Sequence, residues 1–416
     1  MTYLLKQNLS SIAIRLAILL SIFLLDACSN SKEVELTSSF FTESGEQETI
    51  SVVKNHYLED SLKTDLPIVK IFADEKINTK ETWLDAAIAI DTVIYNAHIK
   101  GRGNSTWIFP KKPYTFKFET KQSILGMPAS KKWILLANYR DRTLIRNAVS
   151  LELARLFNFE WVPQGRFVEV FLNDKHLGNY YLVEKVEVEK NRLNLRKDGF
   201  LLELDAHFDD EYKFKSSYWH YPVNIKYPSE PDSAQFAYIE NYIDTLEQSL
   251  HAKQNDYNYR EFLDQSSFAR YYLFNEVLEN HEITFPNSVF VYKDSDSPLM
   301  AGPPWDYDCS TFRTPTDSLT LKRSVWYYHL FDKPDFVRVV KQEWESNRTR
   351  LNKLSEYIDS LAIVVEKSNA INYRKWPIHI DDPNGDEDLS FKDAIDRMKN
   401  NFYKRLENVD RLINAL

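Results

Sequence analysis

Alternating apolar residues through the first half of the chain and 3.6-periodic apolar runs through the second predict an α+β fold. The expected architecture has two lobes: a sheet-rich N-lobe with one prominent helix, then a helix-rich C-lobe. A length of 416 residues allows each lobe its own core. Glycine is scarce, 9 residues in all, so each one is expected where the backbone requires it.

Pro67 to Phe72 (PIVKIF) reads as the first strand. Apolar residues two apart between Trp83 and His98 (Ile88 and Ile90, Val93 and Tyr95) suggest further sheet. Pro113 to Phe118 (PYTFKF) alternates again. Leu144, Ile145, Val149, Leu151, Leu153, Leu156 and Phe157 recur at helical spacing, with Asp141 or Thr143 able to cap the start. Arg166–Leu172 and Tyr180–Val186 form two strands joined by a turn from Asn173-Asp174 through Gly178. Beyond these, Ala234–Leu250 and Ser266–Leu278 predict helices, and Val289–Tyr292 a strand. The Ser295–Pro298 stretch is a turn, and residues from about 331 to 416 are mostly helical, interrupted near Pro383-Asn384-Gly385. The expected boundaries are 49–185 for the N-lobe and 186–416 for the C-lobe.

The first 27 residues read as a lipoprotein signal peptide. Lys6 and Arg15 precede Leu16–Leu25, an apolar run too short to span a bilayer. Leu25-Asp26-Ala27-Cys28 resembles a bacterial lipobox, although Asp26 is unusual inside one. Cys28 is the expected lipidation site, with residues 28–48 as an acidic tether. The expected address is the cell envelope, at the outer membrane or surface of a Gram-negative bacterium. No later run reaches 18 apolar residues, so no transmembrane helix is expected. With Cys28 lipidated, only Cys309 remains, and one cysteine makes no intramolecular disulfide. A net charge of −9 argues against nucleic acid as a partner.

His281-Glu282-Ile-Thr-Phe-Pro-Asn287 places an asparagine five residues after a carboxylate. A strand, a turn and a second strand follow, ending in Trp305-Asp306-Tyr307-Asp308. Kinases share this layout: a carboxylate that accepts the substrate hydroxyl proton, an asparagine on magnesium, and a hairpin returning an aspartate to that metal. The same residues also read as a helix end capped by Asn280, followed by a turn. Upstream, Lys117 lies in a strand, followed by a helix containing Glu152 and a hairpin ending at Glu184. That is the order of a kinase first lobe, with Lys117 on phosphate and Glu184 near the nucleotide hinge. Glu152 could pair with Lys117 or face solvent. Gly101-Arg102-Gly103 offers backbone N–H groups and the Arg102 guanidinium to phosphate, or simply turns between strands. Arg146 could reach phosphate or serve its helix.

Other chemistries lack their signatures. Phe285 stands where a zinc protease needs its second histidine, and neither a Cys/His ligand cluster nor a G-x-S-x-G elbow occurs. Among 61 acidic residues a glycosidase pair is not excluded, and Asp306 and Asp308 are its best candidates. Two apart on a strand, they share a face, which favours binding a metal over dividing acid and base roles.

The segments IKGRGNSTWIFPKKPYTFKFETK, LGMPASKKWILLANYRDRTLIRNAVSLELA, VEVFLNDKHLGNYYLVEKVEVEKNRLNL, GFLLELD and GPPWDYD, in that order, resemble CotH kinase family proteins. The resemblance implies an atypical protein-kinase-like fold and serine phosphorylation using ATP and Mg²⁺ (or Mn²⁺). It puts Lys117 at the phosphate-contacting lysine, Glu184 near the hinge, Glu282 at the catalytic carboxylate, and Asn287 and Asp306 at the metal. Asp308 joins them as a candidate ligand. The expected partners are ATP, a protein substrate at the envelope, and the membrane through Cys28. Glutamate at 282 departs from the family's aspartate. The extra methylene moves the carboxylate by ~1.5 Å, and a ~1 Å misplacement can cost ~100-fold in rate. A pseudokinase acting as a surface-tethered binding or structural module is therefore the alternative function.

Overall fold

Residues 19–20, 36–41, 47–52, 64–253, 256–378 and 383–416 are described in a computed structural model. They belong to two units, Met1–Thr64 and Asp65–Leu416. In the first, β1 (Leu19–Leu20), β2 (Leu36–Phe41) and β3 (Gln47–Val52) form an antiparallel sheet. Cys28 and most of the apolar run before it lie outside the described residues. Within the stretch read as a tether, β2 and the start of β3 are strand.

The second unit opens with seven strands: β4 (Ile68–Phe72), β5 (Leu84–Ile90), β6 (Val93–Gly101), β7 (Tyr114–Gln122), β8 (Ser130–Leu136), β9 (Gly165–Leu172) and β10 (Lys175–Glu184). They close into a barrel in the order β10-β8-β7-β6-β5-β4-β9. This corrects the kinase-like N-lobe, which would be an open sheet. The closure comes from β4 and β9, which pair in parallel with Val69 opposite Val170 and leave no free edge between them.

Period-2 alternation fills the barrel. Val69 and Ile71, Ile88 and Ile90, Ala97 and Ile99, Phe116 and Phe118, Trp133 and Leu135, and Val168 and Val170 are all buried in one cluster. The outward residues of β8 and β10 (Ile134, Leu136, Tyr181 and Val183) are buried too, in the second core of the unit. Burial on both faces explains why these strands read as apolar runs. The β9–β10 turn is shorter than its sequence suggests. Asn173 and Asp174 both have positive φ (46° and 62°), as a two-residue type I′ turn requires. Gly178 (φ 94°) instead sits inside β10, where the register against β9 shifts.

Helix α1 (Arg146–Leu156) follows β8. The Asp141 carboxylate accepts the amides of Thr143 and Arg146 at its start (2.9 and 2.8 Å), so the expected capping residue does that work. After the barrel come β11 (Phe200–Leu204), β12 (Lys213–Lys215), β13 (Pro222–Tyr227), β14 (Val289–Lys293) and β15 (Met300–Ala301). They form a second sheet in the order β12-β13-β11-β14-β15. Of these strands the sequence marked β14 and the strand after its turn, β15; it missed β11 (FLLEL), which is buried almost throughout and shows no alternation.

The helices are α2 (Ser233–His251), α3 (Gln265–Leu278), the one-turn α4 (Tyr327–Leu330), α5 (Pro334–Leu351), α6 (Leu354–Lys375) and α7 (Phe391–Asn414). Asp232 and Gln235 form a capping box on α2, and Asp264 caps α3. Mixed α and β structure, sheet-rich first and helical later, is thus present as expected. Among the described residues no helix is long and apolar enough to cross a membrane.

Candidate active site

Three chain segments meet at one end of the second sheet. β11 runs antiparallel to β14, with Leu204 opposite Val289, so Asp205 emerges beside the turn carrying Asn287 and Ser288. β15 runs antiparallel to β14 on its other side, with Ala301 opposite Val291. The Gly302 amide then bonds Phe290 O at 2.9 Å, which leads the chain toward Trp305–Asp308 at the same end. Glu203, Asp205, Glu282, Asn287, Asp306 and Asp308 therefore line one cavity of about 660 Å³, a size usual for small-molecule sites.

Backbone bonds hold these segments. Asp205 accepts the Ser288 amide at 3.2 Å, and the Ala206 amide bonds Pro286 O at 2.8 Å. The helix end expected here is present, but Glu279 (φ 54°) caps α3, and Asn280 instead starts the next turn by accepting the Glu282 amide at 3.2 Å. The Tyr307 amide bonds Asn147 Oδ1 on α1 at 2.8 Å. Between the residues so anchored, Asp306 is held at φ +68°, a strained backbone for aspartate of the kind that concentrates at functional sites.

Cations line the same cavity. Arg102, on the loop after β6, lies over the Trp305 ring at 5.4 Å. Lys132 on β8, Lys185 just after β10 and Lys226 on β13 also line the cavity. Lys226 bonds Glu203 at 3.0 Å and Asp210 at 2.6 Å.

The acids perturb one another. Burial, then Asp306, Asp308 and Asp205, push the Glu282 carboxyl up to about 8. Burial, then Asp306 and Asp141, push Asp308 up to about 7. Asp306 is raised by burial and by Asp205, with Arg102 opposing. Among the cations, burial lowers Lys185 to about 8. Perturbed groups gathered in one cleft mark it as a candidate functional site.

Among the described residues no three carboxylate, histidine or cysteine side chains are gathered tightly enough to hold a metal by themselves. The donor set nonetheless fits a hard cation. Mg²⁺ takes one or two carboxylates and completes its octahedron with water and phosphate oxygens. Asp306, Asp308 and Asn287 supply oxygen donors of that kind, in a cluster whose raised carboxyl pKa values a cation would relieve.

The remaining sequence candidates lie elsewhere. The Lys117 ammonium sits 4.6 Å from the centroid of the Trp83 ring, and Lys117 is not among the cavity's lining residues. The Glu184 carboxylate is fully buried, accepting the Gln164 amide at 2.9 Å and lying 3.8 Å from Arg192. The next residue, Lys185, is the one that reaches the cavity. Arg146 is buried against Asp141 and Asp386 and donates to Thr311 O at 3.1 Å, which ties α1 to distant chain. Glu152 pairs with Arg155 at 3.1 Å. Asp205 and Glu203 were not singled out as site residues. The available signal was a carboxylate closing an otherwise apolar strand, in the segment GFLLELD.

A family model described as CotH kinase protein matches residues 99–409. No curated protein matches the chain. The match spans most of the barrel, the whole second sheet and nearly all of the helical part, and the chain belongs to the CotH kinase protein family.

Proposed function

We propose that the chain is a protein kinase that moves the γ-phosphoryl group of ATP to a serine or threonine hydroxyl of an envelope or secreted protein. The observation that carries this reading is one cavity lined both by carboxylates (Glu282, Asp306, Asp308, Asp205) and by the cations Arg102, Lys132, Lys185 and Lys226. Phosphoryl transfer consists largely of positioning and charge stabilisation, and it needs both of these features. Asn287, Asp306 and Asp308 would hold Mg²⁺ (or Mn²⁺), which when bound neutralises phosphate charge. Arg102 and Lys185 would face the phosphates, and Glu282 would orient the acceptor hydroxyl. A lipid on Cys28 would keep the domain at the cell envelope.

The test is calorimetric titration of the chain from Ser29 onward with ATP, with and without Mg²⁺, followed by a transfer assay. Metal-dependent binding with transfer supports the kinase. Metal-dependent binding without transfer assigns the pseudokinase module, the reading favoured by glutamate at position 282. No binding in either condition refutes both.

A further inference from the structure

The cavity contains a second candidate proton acceptor. The His207 imidazole lines it, and its Nδ1 lies 2.7 Å from Asp205 Oδ1. The His207 amide also donates to Asp205 Oδ1, at 2.8 Å. The other carboxylate oxygen, Oδ2, accepts the Ser288 amide next to Asn287. We propose that His207, oriented by Asp205, is the general base that takes the acceptor hydroxyl's proton, leaving Glu282 to orient that hydroxyl. This rests on the kinase reading above.

The tautomer follows from the bonding. An ionised carboxylate only accepts, so Nδ1 carries the hydrogen and Nε2 keeps its lone pair. The loop that presents the ring is pinned. The Phe208 amide bonds Asp205 O at 3.1 Å, and the ammonium groups of Lys213 and Lys215 lie over the Phe208 ring. Among the charged groups that line the same cavity are Asp209, Asp210 with its partner Lys226, and Glu282. In the step itself, the hydroxyl oxygen forms a bond to the γ-phosphorus as its proton passes to Nε2. The bond from that phosphorus to the bridging oxygen breaks, and its electron pair leaves with ADP. The imidazolium is stabilised by Asp205 and returns its proton to solvent, to which the side chain is 46% exposed. Asp205 acts through His207 and is a positioning residue.

A purely structural role would have Asp205 and His207 simply closing a turn. His207→Asn separates the two readings, because its amide keeps a donor toward Asp205 and loses the base. With the full chain, ATP and Mg²⁺, phosphate is counted on the chain itself and on casein. Transfer by His207→Asn is expected to fall by about 10²–10⁴-fold, with ATP affinity unchanged. Imidazole should restore part of the activity of His207→Ala. In the metal-free protein, ¹H–¹⁵N NMR should find the neutral ring protonated at Nδ1. Transfer by His207→Asn close to wild type, or a ring protonated at Nε2, overturns the assignment. Silence of the wild-type chain refutes the kinase reading and the base with it, and is distinguished by appearing before any variant is made.

Discussion

Lys226 bonds the Glu203 carboxylate at 3.0 Å, whereas Glu282, Asp306 and Asp308 form no ion pair among the described residues. The acidic floor is therefore paired with a cation at one flank and unpaired at its centre. The charge imbalance has consequences that can be measured before any substrate is known.

The first concerns pH. Burial and mutual repulsion raise Asp308 to about 7 and Glu282 to about 8 in the folded chain, above the ~4 of unfolded carboxylates. Between those values the folded state binds more protons than the unfolded state, so stability falls as pH rises through the window. The melting temperature of the metal-free chain should decline from pH 5 to pH 8. Asp308→Asn should flatten that decline, and Mg²⁺ should reverse it in the wild type. Calorimetry in a chelator checks all three.

The second separates function from stability at Asp306. Asp306→Asn removes a charge that repels its neighbours, so the metal-free fold should melt at the same temperature or higher. Transfer should fall by at least ~100-fold, the scale of losing one electrostatic contact to the transition state. A variant that melts earlier and keeps its activity would remove Asp306 from the site.

The third sets one lysine against another. Lys185 lines the cavity and Lys117 does not. Lys185→Ala should raise the KM for ATP by ~10–100-fold, the range of a lost hydrogen bond to a charged group. Lys117→Ala should change it by less than about threefold. The reverse order would restore the sequence-based assignment of Lys117.

The contrast between those lysines marks the limit of what the sequence could tell. Alternation marked Pro113–Phe118 as a strand, and in the structure Phe116 and Phe118 fill the barrel, which leaves Thr115 and Lys117 on the outer face of β7. How far the cavity extends along that face depends on the lobe packed against it, and only Thr115 lines it. Local patterns likewise revealed α1, α2, α3 and β14, and the acidic segments of the site from Glu282 to Asp308. Barrel closure was not legible, because it pairs Val69 with Val170 across about a hundred residues. Nor was the buried Arg146–Asp386 pair, whose partners are 240 residues apart. Asp205 stayed hidden because its importance comes from the β11–β14 register, which no local pattern encodes.

The last prediction concerns what keeps the helical part beneath the site. Arg405 on α7 is buried and spans a gap to α3: its guanidinium bonds Glu276 Oε1 at 2.6 Å and Glu276 O at 2.9 Å, with Thr316 O and Ser318 O at 2.8 and 3.0 Å. The Glu276 carboxylate in turn accepts the amides of Thr320 and Leu321 at 2.7 and 3.0 Å. Burial raises the Glu276 carboxyl, and Arg405 and the two amides oppose that shift. Arg405→Ala leaves a buried carboxylate without its counter-ion and several carbonyls without a donor. The expected cost is about 3–5 kcal/mol in urea unfolding, the usual penalty for breaking one side of a buried pair. Lys392→Ala, which breaks the exposed pair with Asp396 on the same helix, should leave the unfolding midpoint unchanged. Equal effects at the two positions would show that α7 is held by its apolar face alone, through Ile395, Met398, Phe402 and Val409.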